Sequence, residues 1–196
     1  MTLRAFSFHV FLFLRWPRKL LATGLVGLLL LLGASAAQAD EYTEVNRLIA
    51  ARQFPQALAG ADKYLAAKPR DPQMRFLKGV IQSQAADTGQ AIATFVQITQ
   101  DYPELPEPYN NLAVLYAAQS QFGKARESLE MAIRLNPGYA VAHENLGDIQ
   151  ARLASQSYSR AQQLDAANAG LAPKLALINQ LLAPAAAKAA QPAKAP

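Results

Sequence analysis

The chain has 196 residues, 52% hydrophobic and 17% charged, with 19 Lys and Arg against 14 Asp and Glu. No cysteine occurs, which excludes disulfides, thiolate metal sites and lipid attachment through an N-terminal cysteine. Residues 1–39 hold four of the basic and none of the acidic side chains; the 15 against 14 left over residues 40–196 give no footprint for nucleic acid or anionic lipid.

That leader runs from Arg4, Arg15, Arg18 and Lys19 into an unbroken apolar stretch over residues 20–33, and ends in Ala37-Gln38-Ala39. Basic, then apolar, then small-x-small is the order of a secretory signal peptide. Its cut is expected between Ala39 and Asp40. The alternative is an uncleaved membrane anchor, since residues 20–37 are 18 long, near the lower limit for spanning. Beyond the leader, Ala57, Ala91 and Ala125 stand 34 residues apart, and Pro69, Pro103 and Pro137 keep the same interval. Two residue types sharing one period mark a helix-turn-helix unit that buries its apolar face only by stacking on its neighbours.

The units are read as 41–71, 72–105, 106–139 and 140–168, followed by a capping helix over 172–182, within a solenoid domain spanning 40–182. In the first, Glu41 and Glu44 stand where bulky apolar residues belong, as a terminal unit with no preceding neighbour requires. The second opens with Asp71-Pro72, a helix cap followed by proline at the first helical position. Lys78 falls on its packing stripe. Met74, Leu77 and Ile81 restore that stripe one residue earlier, which reads as a compensated slip that leaves groove positions in this repeat undetermined by one residue. The third, 106–139, is the most regular: Tyr109, Leu112, Ala113, Tyr116, Ala125, Leu129, Ala132 and Pro137 occupy positions 4, 7, 8, 11, 20, 24, 27 and 32.

This pattern resembles the tetratricopeptide repeat family, with Tyr109 for the usual Trp and Ala113 for the usual Gly. The resemblance covers about residues 41–168 and implies an all-α, right-handed helix-turn-helix solenoid: three regular units, a shortened fourth and the capping helix. In the fourth unit, Gly147 and Ala161 are 14 residues apart where a regular unit has 19. With no Gly, Pro, Asn or Asp between Asp148 and Asp165, its two helices are expected to run together from about residue 141 to 164. In the last amphipathic segment Leu175, Ile178, Leu181 and Leu182 are expected to pack. Residues 183–196, only Ala, Pro, Lys and Gln, cannot bury a core and are expected to be a disordered tail.

Beyond the leader there is one histidine, His143, at a packing position of its unit; it reads as a partly buried structural residue. The carboxylates are scattered, and no His/Asp/Glu cluster has metal-ligand spacing. Glu127 and Glu130, beside Lys124, Arg126 and Arg134, read as a solvated face with local ion pairs. No catalytic, cofactor or metal site is expected, and the chain is not expected to be an enzyme.

The resemblance implies a concave surface formed by the first helix of each unit. There the candidate partner-binding residues are Asn110, Asn111, Val114, Glu144, Asn145 and Asp148. Asn111 and Asn145 hold the same position in adjacent units; paired amides can grip an extended backbone, or simply be soluble there. Some family members clamp a C-terminal carboxylate with added Lys and Arg. Val141 and Asn145 stand at the sites that would supply those charges, which argues against such a clamp. Glu107, Glu144, Asp148 and Val114 suit a neutral to basic partner segment with an apolar residue. The expected role is that of a periplasmic adaptor or scaffold in the bacterial envelope, serving assembly or secretion. The alternative is a self-assembling element, dimerising through a solenoid end and held in the inner membrane if the leader stays uncleaved.

Overall fold

The computed structural model describes residues 41–183. The leader, with the expected cut beside Ala37, Ala39 and Asp40, and the tail from residue 184 onward lie outside the described residues. The chain divides into two units, Met1–Thr43 and Glu44–Pro196, and the repeat hairpins pack within the second. The elements are helices: α1 (the described part, residues 41–50), α2 (Phe54–Ala67), α3 (Pro72–Gln84), α4 (Thr88–Asp101), α5 (Pro106–Ala118), α6 (Phe122–Leu135), α7 (Ala140–Leu164) and α8 (Leu171–Leu182).

The 34-residue period sets the helix starts. Phe54, Thr88 and Phe122 open α2, α4 and α6, while Pro72, Pro106 and Ala140 open α3, α5 and α7. Proline in the first turn of α2, α3 and α5 costs no hydrogen bond, because those N–H groups have no intrahelical acceptor. Asp71 and Asp87 cap α3 and α4 by accepting from the N–H of Met74 and Gln90, at 3.0 and 3.3 Å. Each of the first three hairpins reverses through one left-handed residue: Arg52, Ala86 and Ser120, with φ of 56°, 62° and 59°. The next N–H, of Gln53, Asp87 or Gln121, then donates to the carbonyl of Leu48, Gln82 or Tyr116 at 2.9 Å, which closes the helix end.

Packing repeats with the same interval. On the second helices Ala57, Ala61 and Tyr64, then Ala91, Phe95 and Ile98, then Ala125, Leu129 and Ala132 are all buried, spaced four and three on one helical face. On the first helices the pairs Met74 and Ile81, Pro108 and Leu115, Ala142 and Ile149 are buried. Leu115 packs with the second helix of the preceding hairpin, as Ala142 and Ile149 do with theirs. This corrects the slip expected in the second unit. Met74 and Ile81 are buried because the same two positions are buried in every following unit, and the helix starts keep a strict 34-residue interval. Lys78 sits on the packing stripe without penalty because its Nζ reaches Asp62 of the preceding hairpin at 2.7 Å.

The fourth unit departs from the plan. α7 continues through Ala154, where the left-handed residue of a regular unit would stand. The second helices end with the N–H of Lys68, Tyr102, Asn136 and Asp165 on the carbonyls of Tyr64, Ile98, Ala132 and Ala161. The last interval is 29 residues instead of 34, so five residues are missing and the two helices have fused. Ser157 Oγ donates to its own helix at the Leu153 carbonyl, 2.9 Å away, which satisfies a side chain that could have favoured a turn.

Two expectations are corrected here. His143 is exposed, not partly buried, because no helix folds back over it; its Nε2 lies 3.0 Å from the Pro137 carbonyl. On α8 the helix begins earlier than the stripe was drawn, so Leu171, Leu175, Ile178 and Leu182 are the covered residues, while Leu177 and Leu181 are 67% and 58% exposed. α8 packs on α7, with Lys174 Nζ 5.3 Å from the centre of the Tyr158 ring. Among the described residues no helix is long and apolar enough to cross a membrane.

Candidate functional site: a groove on the first helices

Consecutive helices pack in order along the unit, and α5 also reaches α7 directly. A groove therefore runs over the first helices, with α6 behind α5 and α7. Between these three helices lies a hollow of about 170 Å³. Val114 and Ala117 of α5 form one wall and Asn145, Asp148 and Arg152 of α7 the other; Leu129 and Ile149 belong to its floor. Val114 is 51% exposed on a helix whose Leu112, Ala113 and Leu115 are buried. Nothing in the fold requires that valine.

The six expected partner-binding residues fall in four different settings. Val114, Asn145 and Asp148 line the hollow. Glu144 is exposed one turn before Asp148 and does not border it. Asn110 is only 7% exposed: its Oδ1 accepts the Asn145 amide at 2.9 Å, so it joins two repeats. Asn111 is half-buried and donates to the Glu107 carbonyl of its own helix at 2.9 Å. The asparagine that pairs with Asn145 is thus Asn110, one residue from the one the repeat register suggested, because Asn111 is turned back onto α5.

The reading from sequence missed two parts of the groove. Arg152 borders the hollow from the position that Gln84 and Ala118 hold as the last residues of α3 and α5; its guanidinium lies 5.8 Å from the Phe122 ring centre. The second part is a hollow of about 250 Å³ between the first turns of α3 and α5, lined by Pro72, Gln73, Phe76, Leu105, Glu107 and Pro108. Gln73, Phe76 and Leu77 are groove positions once the strict 34-residue register is applied. The supposed slip concealed them.

Electrostatics are modest. Tyr139, beside the groove entrance, has its phenol pKa raised, first by burial and then by the nearby Glu107 carboxylate. Lys78 and Arg75 of α3 are engaged by Asp62 and Asp101, the latter at 2.6 Å. Among the described residues no group of three or more His, Asp or Glu could hold a metal ion.

Stacked two-helix hairpins with a groove on their first helices define the class of fold, a tetratricopeptide repeat solenoid. Residues 106–139, the third hairpin, match the model of the tetratricopeptide repeat family. A stretch of 48 residues is 42% identical to the tetratricopeptide repeat domain-containing protein PYG7, chloroplastic, of Arabidopsis thaliana, covering 24% of this chain and 16% of that protein. The fold is similar to TTC0263, a thermophilic protein of this repeat class from Thermus thermophilus, with 21% identity, coverage of 73% and 81% of the two chains and a TM-score of 0.55. It is also similar to the second repeat domain of human RPAP3 in complex with the HSP70 peptide SGPTIEEVD, with 14% identity, coverage of 56% and 92% and a TM-score of 0.52.

Proposed function

We propose that the protein is a binding adaptor that holds an extended segment of a partner protein in the groove between α5 and α7. The observation that carries this is the open hollow beside Val114, an exposed apolar side chain ringed by the polar groups of Asn145 and Asp148. Apolar contact with a few orienting polar groups is the chemistry of peptide recognition. The peptide held by the RPAP3 domain is consistent with it. A photo-crosslinking side chain placed at Val114 should form an adduct with a partner protein, and one at Glu127, exposed on α6, should not. Equal adducts at both sites, or none, would remove the groove from consideration.

We place the adaptor in the periplasm, in envelope assembly or secretion, on the order of basic, apolar and small residues in the leader. Mass measurement of the mature protein should give an N-terminus at Asp40; a membrane-bound product beginning at Met1 supports the anchored alternative instead. Self-association through the solenoid end is a second reading, favoured by Leu164, Leu177 and Leu181, which are 73%, 67% and 58% exposed. Sedimentation should then show a dimer that Leu177→Glu with Leu181→Glu dissolves.

A further inference from the structure

We infer that the groove selects a cationic extended segment with two apolar side chains about four residues apart, one for each hollow. This rests on the groove reading and specifies its partner. The first premise is volume. A cavity of about 150 Å³ accommodates a benzene-sized group, and the two hollows measure about 170 and 250 Å³, so each accepts an apolar side chain.

The second premise is spacing. One hollow lies between α3 and α5 at their first turns, the other between α5 and α7 about seven residues further along the helices. Adjacent helices are about 10 Å apart, and seven helical residues advance about 10 Å, which puts the hollows about 14 Å apart on a diagonal. An extended chain covers that in about four residues.

Charge is the third. Glu107 rims the larger hollow, Asp148 the smaller, and Glu144 is exposed beside it. The cations of the first helices answer them only in part. α5 has none, Arg75 and Lys78 pair with Asp101 and Asp62, and Arg152 lines the smaller hollow, which leaves Glu107, Glu144 and Asp148 in excess of it. An acidic segment such as the SGPTIEEVD held by the RPAP3 domain would meet like charge here, whereas a segment with Lys or Arg near its apolar anchors meets the opposite sign.

The test is a displayed library of random peptides, long enough to cross α3, α5 and α7, selected on the intact protein. The expected consensus pairs two apolar residues three to five positions apart with Lys or Arg. An enriched peptide should bind about tenfold or more weakly to the Glu107→Lys, Glu144→Lys variant, and its affinity should fall with added salt. Both substitutions are at exposed positions, and circular dichroism checks that helicity is kept. Peptides that compete at Val114 but are acidic, or carry a single anchor, overturn this inference and leave the groove reading standing. No enrichment over a Val114→Asp variant overturns both.

Discussion

At the level of single residues, the amides of the groove are not equivalent, and stability should separate them. Asn145→Ala leaves the buried Asn110 Oδ1 without its donor and should cost about 1–3 kcal/mol in urea unfolding. Asn111→Ala removes only a bond to its own helix and gains helix propensity, so the change should stay within about 0.5 kcal/mol. A result in the reverse order would mean that Asn111 and not Asn110 joins the repeats. Tyr139 gives a pH dependence whose sign follows from its raised pKa. A tyrosine that holds its proton more tightly when folded contributes stability below its unfolded pKa of about 10, and loses it as pH rises through the higher folded value. Thermal stability should therefore fall above about pH 10, and Tyr139→Phe should remove part of that loss. Sequence alone could name these residues but not their partners. Asn110 and Asn111 are adjacent, and only the rotation of α5 against α7 decides which amide is covered.

Within the helices, the eighth position of the repeat shows what the shortened unit changes. A Cβ on Gly79 would stand 2.7 Å from Cζ of Phe95, a ring with no exposed surface into which to withdraw. Gly79→Ala should therefore cost about 1–3 kcal/mol through overpacking. Gly147 holds the same position in α7, but a Cβ there meets nothing within 4 Å because the helix that would have covered it has fused end to end with its neighbour. Gly147→Ala should stabilise by about 0.5–1 kcal/mol, the helix cost of glycine. Opposite signs at one repeat position would be hard to obtain if the fourth unit folded like the others. Ser155→Pro supplies a second check: inside a continuous helix it should cost about 3 kcal/mol or more, whereas a turn at that place would absorb it. The fusion was legible in the sequence, because five missing residues and the lack of Gly, Pro, Asn or Asp are local facts. The register of the second unit was not. Lys78 looked misplaced until its distant partner Asp62 was known.

On the scale of the whole molecule, each hairpin is stabilised by the two beside it, so order should decline toward the ends. Amide hydrogens in α5 and α6, packed on both sides, should exchange more slowly than those of α8, which packs on α7. Uniform protection from one end to the other would instead indicate a single cooperative block. The sequence by itself determined the class of fold, the period, the starts of the repeat units and the fused fourth unit. Those depend on local signals: the spacing of small and apolar residues, proline at helix starts, and the presence or absence of turn formers. Even the left-handed turns at Arg52, Ala86 and Ser120 kept the period, although no glycine marked them. Only the tertiary structure decided that Asn110 is covered, that the second unit keeps the strict register that puts Phe76 in the groove, and that two hollows lie on a diagonal across it. The physical reason is that a groove is made by side chains from helices about 34 residues apart in sequence. Their relative rotation is set by what packs behind them, which no local pattern records.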